Sequence, residues 1–425
     1  MTQLLRHPET GELAFDGLSL KTLAQQFGTP TYVYSRTAIE DNWRTLDQAF
    51  EAYPHSLHYA VKANSNLAVL HCLAKLGSGF DIVSGGELHR VLTAGGDPSK
   101  VVFSGVAKSD QDINYAIERG VGCFNIESIA EVDRLQRIAS KHDKAIKVGV
   151  RVNPDVDPKT HPYISTGLTT AKFGIAIERA LEVYQTIDSL SHLIVHSVAC
   201  HIGSQITQTR PFSDALDKVL NLVDALNNVG IQIDQLDLGG GLGIRYKDEQ
   251  PPSMQSYVTA LLETLQSRRC TLPIALEPGR AIVGNAGVLL TRVEYLKTRP
   301  VGSEQGKQFC VVDAGMNDLL RPALYQAFHD IVNVTLRADE YALDLDVVGP
   351  VCETADVLGY DRKLAVEADD VLAVLGCGAY SFVMASHYNS RPKPCEILIS
   401  DGIAHCVRQR ETLNDLVSGE SLLPS

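Results

Sequence analysis

The chain has 425 residues, 44% of them hydrophobic and 21% charged, with a formal net charge of -13. That length exceeds what one hydrophobic core usually supports, so a soluble globular protein of two domains is expected. The negative charge is spread along the chain, which argues against a nucleic-acid or anionic-membrane partner, and no stretch approaches the roughly 20 apolar residues of a membrane span.

The nine cysteines are scattered and form no C-x-x-C pair, so neither a zinc site nor a disulfide framework is expected. Together with an N-terminus that lacks a basic segment followed by an apolar run, they point to a cytoplasmic protein with reduced thiols and no metal.

In chain order, a helix-like segment over Leu18–Phe27 comes first. From Thr31 onward short apolar runs alternate with amphipathic stretches. Candidate strands are Leu57–Lys62, Phe80–Val83, Val101–Ser104, Cys123–Ile126, Ile146–Val152, Ile194–His201, Gln235–Leu238 and Pro273–Glu277. Helical patterns fall between most of them, at Asp110–Arg119, Ser128–Ser140, Glu178–Ile187, Pro211–Val229 and Ser256–Ser267. Eight strands with intervening helices over about 250 residues match a (β/α)8 TIM barrel, although a doubly wound open sheet carries the same local signals. After Arg280 the texture changes to strands punctuated by Gly, Pro and Asp: Gly287–Leu296, Gln308–Val312, Asp330–Leu336, Asp370–Leu375 and Cys395–Ile399. The expected architecture is therefore a barrel over residues 30–280, with residues 1–29 and 281–425 forming a mostly β domain.

Polar residues recur where the candidate barrel strands end. Lys62 closes the first strand, His201 the sixth and Glu277 the eighth, while Gly239, Gly240 and Gly241 follow the seventh. In a barrel all of them lie at the C-terminal mouth, where catalytic groups collect. Each has a plain alternative. Lys62 is either a strand-end lysine reaching solvent or a desolvated amine able to form a Schiff base with a carbonyl such as that of pyridoxal phosphate (PLP). The run from Gly239 to Gly243 is either a tight turn or a set of backbone N–H groups that holds a phosphate, with Gly279 and Arg280 adding to it after strand eight. Glu277 either pairs with Arg280 or faces a pyridine nitrogen and keeps it protonated. His201 is either a satisfied core histidine or a cofactor-facing ring.

In the second domain, GPVCETAD reads as an exposed loop. Cys352 there is a small buried hydrophobe by default, or a thiol that delivers a proton. Arg321 and Tyr325 share a helix face in RPALY, and Tyr380 follows a strand in CGAYS.

The motifs YAVKAN, FDIVSGGE, KFGI, CHIGSQ, DLGGGLGI, EPGR, DAGMNDLLRPALY, GPVCETAD and GAYS occur in this order along nearly the whole chain. In this the sequence resembles the diaminopimelate decarboxylase family, alanine-racemase-like (fold type III) PLP enzymes; single motifs are shared with ornithine and arginine decarboxylases. The resemblance implies an alanine-racemase-like fold and decarboxylation of meso-2,6-diaminopimelate to L-lysine. It further implies that Lys62 carries PLP, that His201 stacks on its ring, and that Glu277 faces the ring nitrogen. Ser204, Gly240, Gly241 and the segment Glu277-Pro278-Gly279-Arg280 would hold the cofactor, with Tyr380 also in contact. Arg280, Arg321, Tyr325, Glu353 and Tyr380 would bind the substrate, and Cys352 would be the proton donor. A homodimer is implied, with Cys352 and Glu353 acting in the partner's site.

Overall fold

The computed structural model describes residues 4–157, 172–298 and 306–424. The chain divides into two compact units: residues 40–245 with 249–282, and residues 1–39, 246–248 and 283–425.

The first unit is a closed parallel barrel. Its strands are His55–Ala60, Gly79–Ile82, Val101–Phe103, Cys123–Ile126, Ile146–Asn153, Leu193–Cys200, Gln235–Asp237 and Ile274–Leu276. Each pairs with the next, and the last returns to the first through Leu276 opposite Leu57, while Ile126 stands opposite Val150. All eight expected strands are present, with ends shifted by at most two residues.

The residue pattern within these strands explains why they close. Apolar residues such as Phe80 and Ile82, Phe124 and Ile126, Val150 and Val152 are buried. Between them stand single buried polar residues: Asp81, Asn125, Arg151 and, before Leu238, Asp237. Successive side chains of a strand point to opposite faces. The alternate apolar set therefore packs under the helices and the polar set faces the barrel interior. Asn125 Nδ2 donates to Asp237 Oδ2 at 3.0 Å, a bond between two separate strands that this facing permits. Room inside comes partly from Gly149, where a Cβ would stand 2.3 Å from Ser197 Oγ.

The helices are bounded by their own sequences. In Asp110–Arg119 the Ser109 Oγ accepts the Asp112 N–H at 3.1 Å, and Gly120 at φ 77° ends the helix. The hydroxyl satisfies an otherwise unpaired N–H, and glycine takes the left-handed conformation without Cβ strain.

The second unit is β-rich. Its main sheet runs in the order Val357–Leu364, Leu343–Val348, Phe309–Val312, Gly287–Lys297, Thr31–Ser35, Cys395–Ser400, Ile403–Arg408, with Val371–Val374 paired to Gly287–Lys297 and Ile331–Asn333 paired in turn to Val371–Val374. Thr31–Ser35 lies in this sheet, parallel to Cys395–Ser400, so the first apolar run after residue 30 is not a barrel strand. The core gathers Phe15, Leu20, Leu23, Val33, Val288, Leu290, Ile397 and Ile399. It thus joins the N-terminal helix Leu20–Phe27 to strands some 370 residues later in the chain.

Gly378 is a tight point in this unit. A Cβ there would stand 1.8 Å from the Val283 carbonyl oxygen, a backbone atom that cannot swing away. Gly378→Ala is expected to destabilise the protein by about 2 kcal/mol or more, measured by denaturant unfolding. An unchanged midpoint would mean the backbone can relax there.

Candidate active site

Four residues of the barrel unit come together because parallel strands end on one rim. Lys62 lies in the 3-10 turn Val61–Ala63, just beyond the strand rather than at its last position. His201 follows Leu193–Cys200, Gly239 comes just after Gln235–Asp237, and Glu277 follows Ile274–Leu276. Short bonds link their segments: the Ala60 N–H donates to Pro278 O at 3.0 Å and the Glu277 N–H to Gly239 O at 2.7 Å. Gly240 donates its N–H to His201 Nδ1 at 3.1 Å.

The glycine turn is dictated by crowding. Gly239 and Gly241 have φ of 65° and 116°, and a Cβ on Gly240 would stand 2.3 Å from the Glu277 carbonyl oxygen. Any side chain would fill the cradle between this turn and the segment Glu277-Pro278-Gly279. Asp237 braces the turn by accepting the Gly239 N–H at 3.0 Å through Oδ1. Arg280 is buried and donates to Ser204 Oγ at 3.1 Å. Ser204, the glycine turn and Arg280 are therefore all on the same rim.

Lys62 Nζ stands 2.6 Å from Asp81 Oδ2, and the Asp81 side chain is fully buried. Glu277 is buried, and its carboxyl is held well above the ordinary carboxylate range. Burial is the main cause, followed by the neighbouring Asp237 and Asp81; Lys62 and Arg151 act in the opposite direction. Its Oε1 is buried with no hydrogen-bond partner among the described residues. An orphaned carboxyl oxygen in such a place calls for a donor from a bound group. His201 is pushed well below the ordinary imidazole range, by burial first and then by Arg151 and Lys62. Its Nδ1 accepts from Gly240, so it is a neutral ring with its proton on Nε2.

The rim thus offers an amine, a neutral flat ring, a glycine cradle for an anion and a buried carboxyl in want of a donor. A phosphorylated pyridine aldehyde presents the matching parts: a carbonyl, a ring, a phosphate and a protonatable nitrogen. Asp81, Asn125, Arg151 and Asp237 belong to this network, a role that residue order alone does not assign them. Their signal was a lone polar residue inside an otherwise apolar strand, as in FDI, FNI and QLDL.

The β-rich unit holds the other expected residues. Arg321 is buried at the start of the helix Arg321–Tyr325, its guanidinium carbon 5.1 Å from the Tyr246 ring centre. Tyr325 is at the end of the same helix. Tyr380 adopts φ 55°, a left-handed conformation unusual for a residue with a side chain. Cys352 and Glu353 are both exposed, so the default of a buried thiol does not hold for Cys352. Their loop is pinned from beneath by Asp356, which accepts the Val351 N–H at 2.7 Å and the Met316 N–H at 2.5 Å. The Cys352 N–H itself donates to Asn389 Oδ1 at 2.7 Å.

Among the described residues there is no group of three or more His, Cys, Asp or Glu that could hold a metal ion, and no helix is long and apolar enough to cross a membrane.

Residues 36–284 match the family model described as pyridoxal-dependent decarboxylase, pyridoxal binding domain. Over the whole chain, the sequence is 56% identical to diaminopimelate decarboxylase of Pseudomonas aeruginosa across 413 residues, covering 97% of this chain and 98% of that protein. The Vibrio cholerae enzyme of the same name is 52% identical over 418 residues, with 98% and 99% covered. Among solved structures, diaminopimelate decarboxylase from Helicobacter pylori complexed with L-lysine superposes with a TM-score of 0.89 at 40% identity, covering 93% of this chain and 98% of that one. The M. jannaschii enzyme in co-complex with L-lysine gives 0.93 at 38% identity, with 99% and 98% covered.

Proposed function

Because the chain belongs to the diaminopimelate decarboxylase family of pyridoxal-dependent decarboxylases, we infer that it converts meso-2,6-diaminopimelate to L-lysine and carbon dioxide, the last step of lysine biosynthesis. The observation on which this rests in the molecule itself is the buried Glu277 carboxyl, whose Oε1 has no hydrogen-bond partner among the described residues, on the same rim as Lys62.

PLP supplies, when bound, a carbonyl that condenses with amines and a ring that takes up the electron pair left by the departing carboxylate. Lys62 is the amine that would hold the cofactor, and Asp81, 2.6 Å from its Nζ, is the partner for its ammonium when the amine is not so engaged. Glu277 keeps a proton at the ring nitrogen, which makes the ring a strong electron sink. His201, neutral and fixed by Gly240, covers the ring without adding charge. Ser204, Gly240, Gly241, Pro278, Gly279 and Arg280 hold the phosphate, and Tyr380 contacts the cofactor. The acid is Cys352, which returns a proton to the carbon that lost its carboxylate.

The distal end of the substrate carries both an amine and a carboxylate. Glu353 has the charge to read the amine, and Arg280 and Arg321, with Tyr325 and Tyr380, suit the carboxylate. Ornithine has no distal carboxylate, and a site built to bind that group rejects strongly an analogue that lacks it. Carbon dioxide release is therefore expected from meso-2,6-diaminopimelate and not from ornithine; turnover of ornithine alone would replace this reading with that of a basic-amino-acid decarboxylase.

The exposure of Cys352 and Glu353 suits residues that serve the site of a second copy, and the protein acts as a homodimer in the cytoplasm. Cys352→Ala should slow turnover by about 10²–10⁴-fold while cofactor absorbance is retained. Loss of the cofactor instead would make Cys352 a structural residue. Mixing this variant with a Lys62 variant should restore partial activity if sites are shared, and sedimentation would report the dimer directly.

A further inference from the structure

We propose that His329 is a positioning residue that orients the Arg321 guanidinium for the distal carboxylate of the substrate, an inference that rests on the reading of Arg321 as a substrate-binding residue. His329 is fully buried. Its Nδ1 lies 2.8 Å from the Leu375 carbonyl oxygen, which can only accept, so Nδ1 carries the proton. Nε2 is then the lone-pair nitrogen, and it accepts from Arg321 Nε at 3.2 Å. The tautomer of His329 is thus set by a backbone carbonyl, and that tautomer is the one able to hold Arg321.

The second hold on the guanidinium is Tyr246. Its ring centre is 5.1 Å from the Arg321 guanidinium carbon and 5.3 Å from the His329 ring, which meets it at an interplanar angle of 73°. With Nε directed at His329 and the guanidinium carbon over the Tyr246 ring, the guanidinium is held from two sides. Pairing of a guanidinium with a carboxylate is planar and depends on orientation as well as charge, so holding Nε bears on how Arg321 meets that group. His329 is also anchored through its own backbone, where Arg362 Nη2 donates to its carbonyl oxygen at 3.0 Å. Cys377 Sγ lies 3.7 Å from Nδ1, a thiol pushed up to about 12 by burial.

The test uses steady-state kinetics of the holoenzyme with meso-2,6-diaminopimelate. In His329→Asn the amide keeps a donor for Leu375 but falls short of Arg321. In His329→Gln an acceptor again reaches toward Nε. His329→Asn is expected to raise KM about tenfold with kcat within about twofold, and His329→Gln to keep KM within about threefold. In an Arg321→Gln background, His329→Asn should add less than about twofold, because its effect passes through Arg321.

An unchanged KM in His329→Asn, with a tenfold rise in Arg321→Gln, would overturn the positioning role and leave Arg321 as a substrate residue. A normal KM in Arg321→Gln would instead remove the reading on which the inference stands. If His329→Asn does not fold, His329→Gln decides alone: a folded variant with KM raised tenfold overturns the proposal. Equal losses of kcat in both variants, with KM unchanged, would also overturn it and mark His329 as structural.

Discussion

Replacing Lys62 with arginine is expected to abolish turnover, by about a thousandfold or more, while the protein folds normally. Arginine keeps a cation opposite Asp81, whose buried carboxylate would otherwise stand alone after the 2.6 Å pair with Lys62 is broken. It cannot, however, shed its proton to become a nucleophile. The absorbance band near about 420 nm, expected of a PLP imine, should therefore be missing from Lys62→Arg and present in the wild type. Lys62→Ala should lose the band as well, and unfold more readily, since it strands Asp81. The Lys62 side chain is about one-third exposed, so that cost is screened and should be about 1–2 kcal/mol, below that of a fully buried pair. Retention of the band in either variant would defeat the assignment of Lys62.

Glu277→Gln should separate activity from stability, in opposite directions. Glutamine matches the shape of glutamate but cannot keep the ring nitrogen protonated, so kcat should fall about 10²–10³-fold. The cofactor-free protein should behave differently. Burial, with Asp237 and Asp81 nearby, raises the folded-state carboxyl above its ordinary value of about 4.5. The fold thus favours the protonated form, and the stability this contributes is full below pH 4.5 or so. It is lost as the pH rises through the raised folded value. Glutamine never ionises and escapes that loss. The difference in melting temperature between cofactor-free Glu277→Gln and wild type should therefore grow in favour of the variant from acid to neutral pH. A constant difference across that range would show that Glu277 is not strained by ionisation. Unchanged kcat would remove it from the cofactor's nitrogen.

His201 gives a check of the opposite sign. Its pKa is depressed, so the stability it contributes is present above the ordinary imidazole range and is lost as the pH falls toward the folded value. The mouth of the barrel should therefore loosen in acid from His201 while it relaxes from Glu277. Only the single variants can tell these two apart.

Much of the barrel was legible from residue order because a strand buried on both faces is a near-continuous apolar run. Cys123–Ile126 emerged with the expected bounds, and Asp110–Arg119 did too, being framed by Ser109 and Gly120. Leu343–Val348 and Val357–Leu364 are not among the strands that residue order predicts. Asp344, Asp346, Asp361, Arg362 and Lys363 break their apolar pattern, and their pairing with each other supplies the order that composition lacks. Thr31–Ser35 was apolar enough to be noticed, but its partners Cys395–Ser400 and Gly287–Lys297 lie far along the chain.

The same division runs through the site. The sequence by itself determined that a lysine, a histidine, a glycine run and a glutamate close four separate strands, because those residue types are out of place at the ends of apolar runs. Only the tertiary structure decided that Lys62 sits in the turn just past its strand and meets Asp81, that Asn125 and Asp237 join across the barrel, and that His329 holds Arg321. The physical reason is range. Burial and strand periodicity act between neighbours and leave a trace in residue order, whereas a hydrogen bond between distant residues is fixed by where the closed fold delivers each side chain.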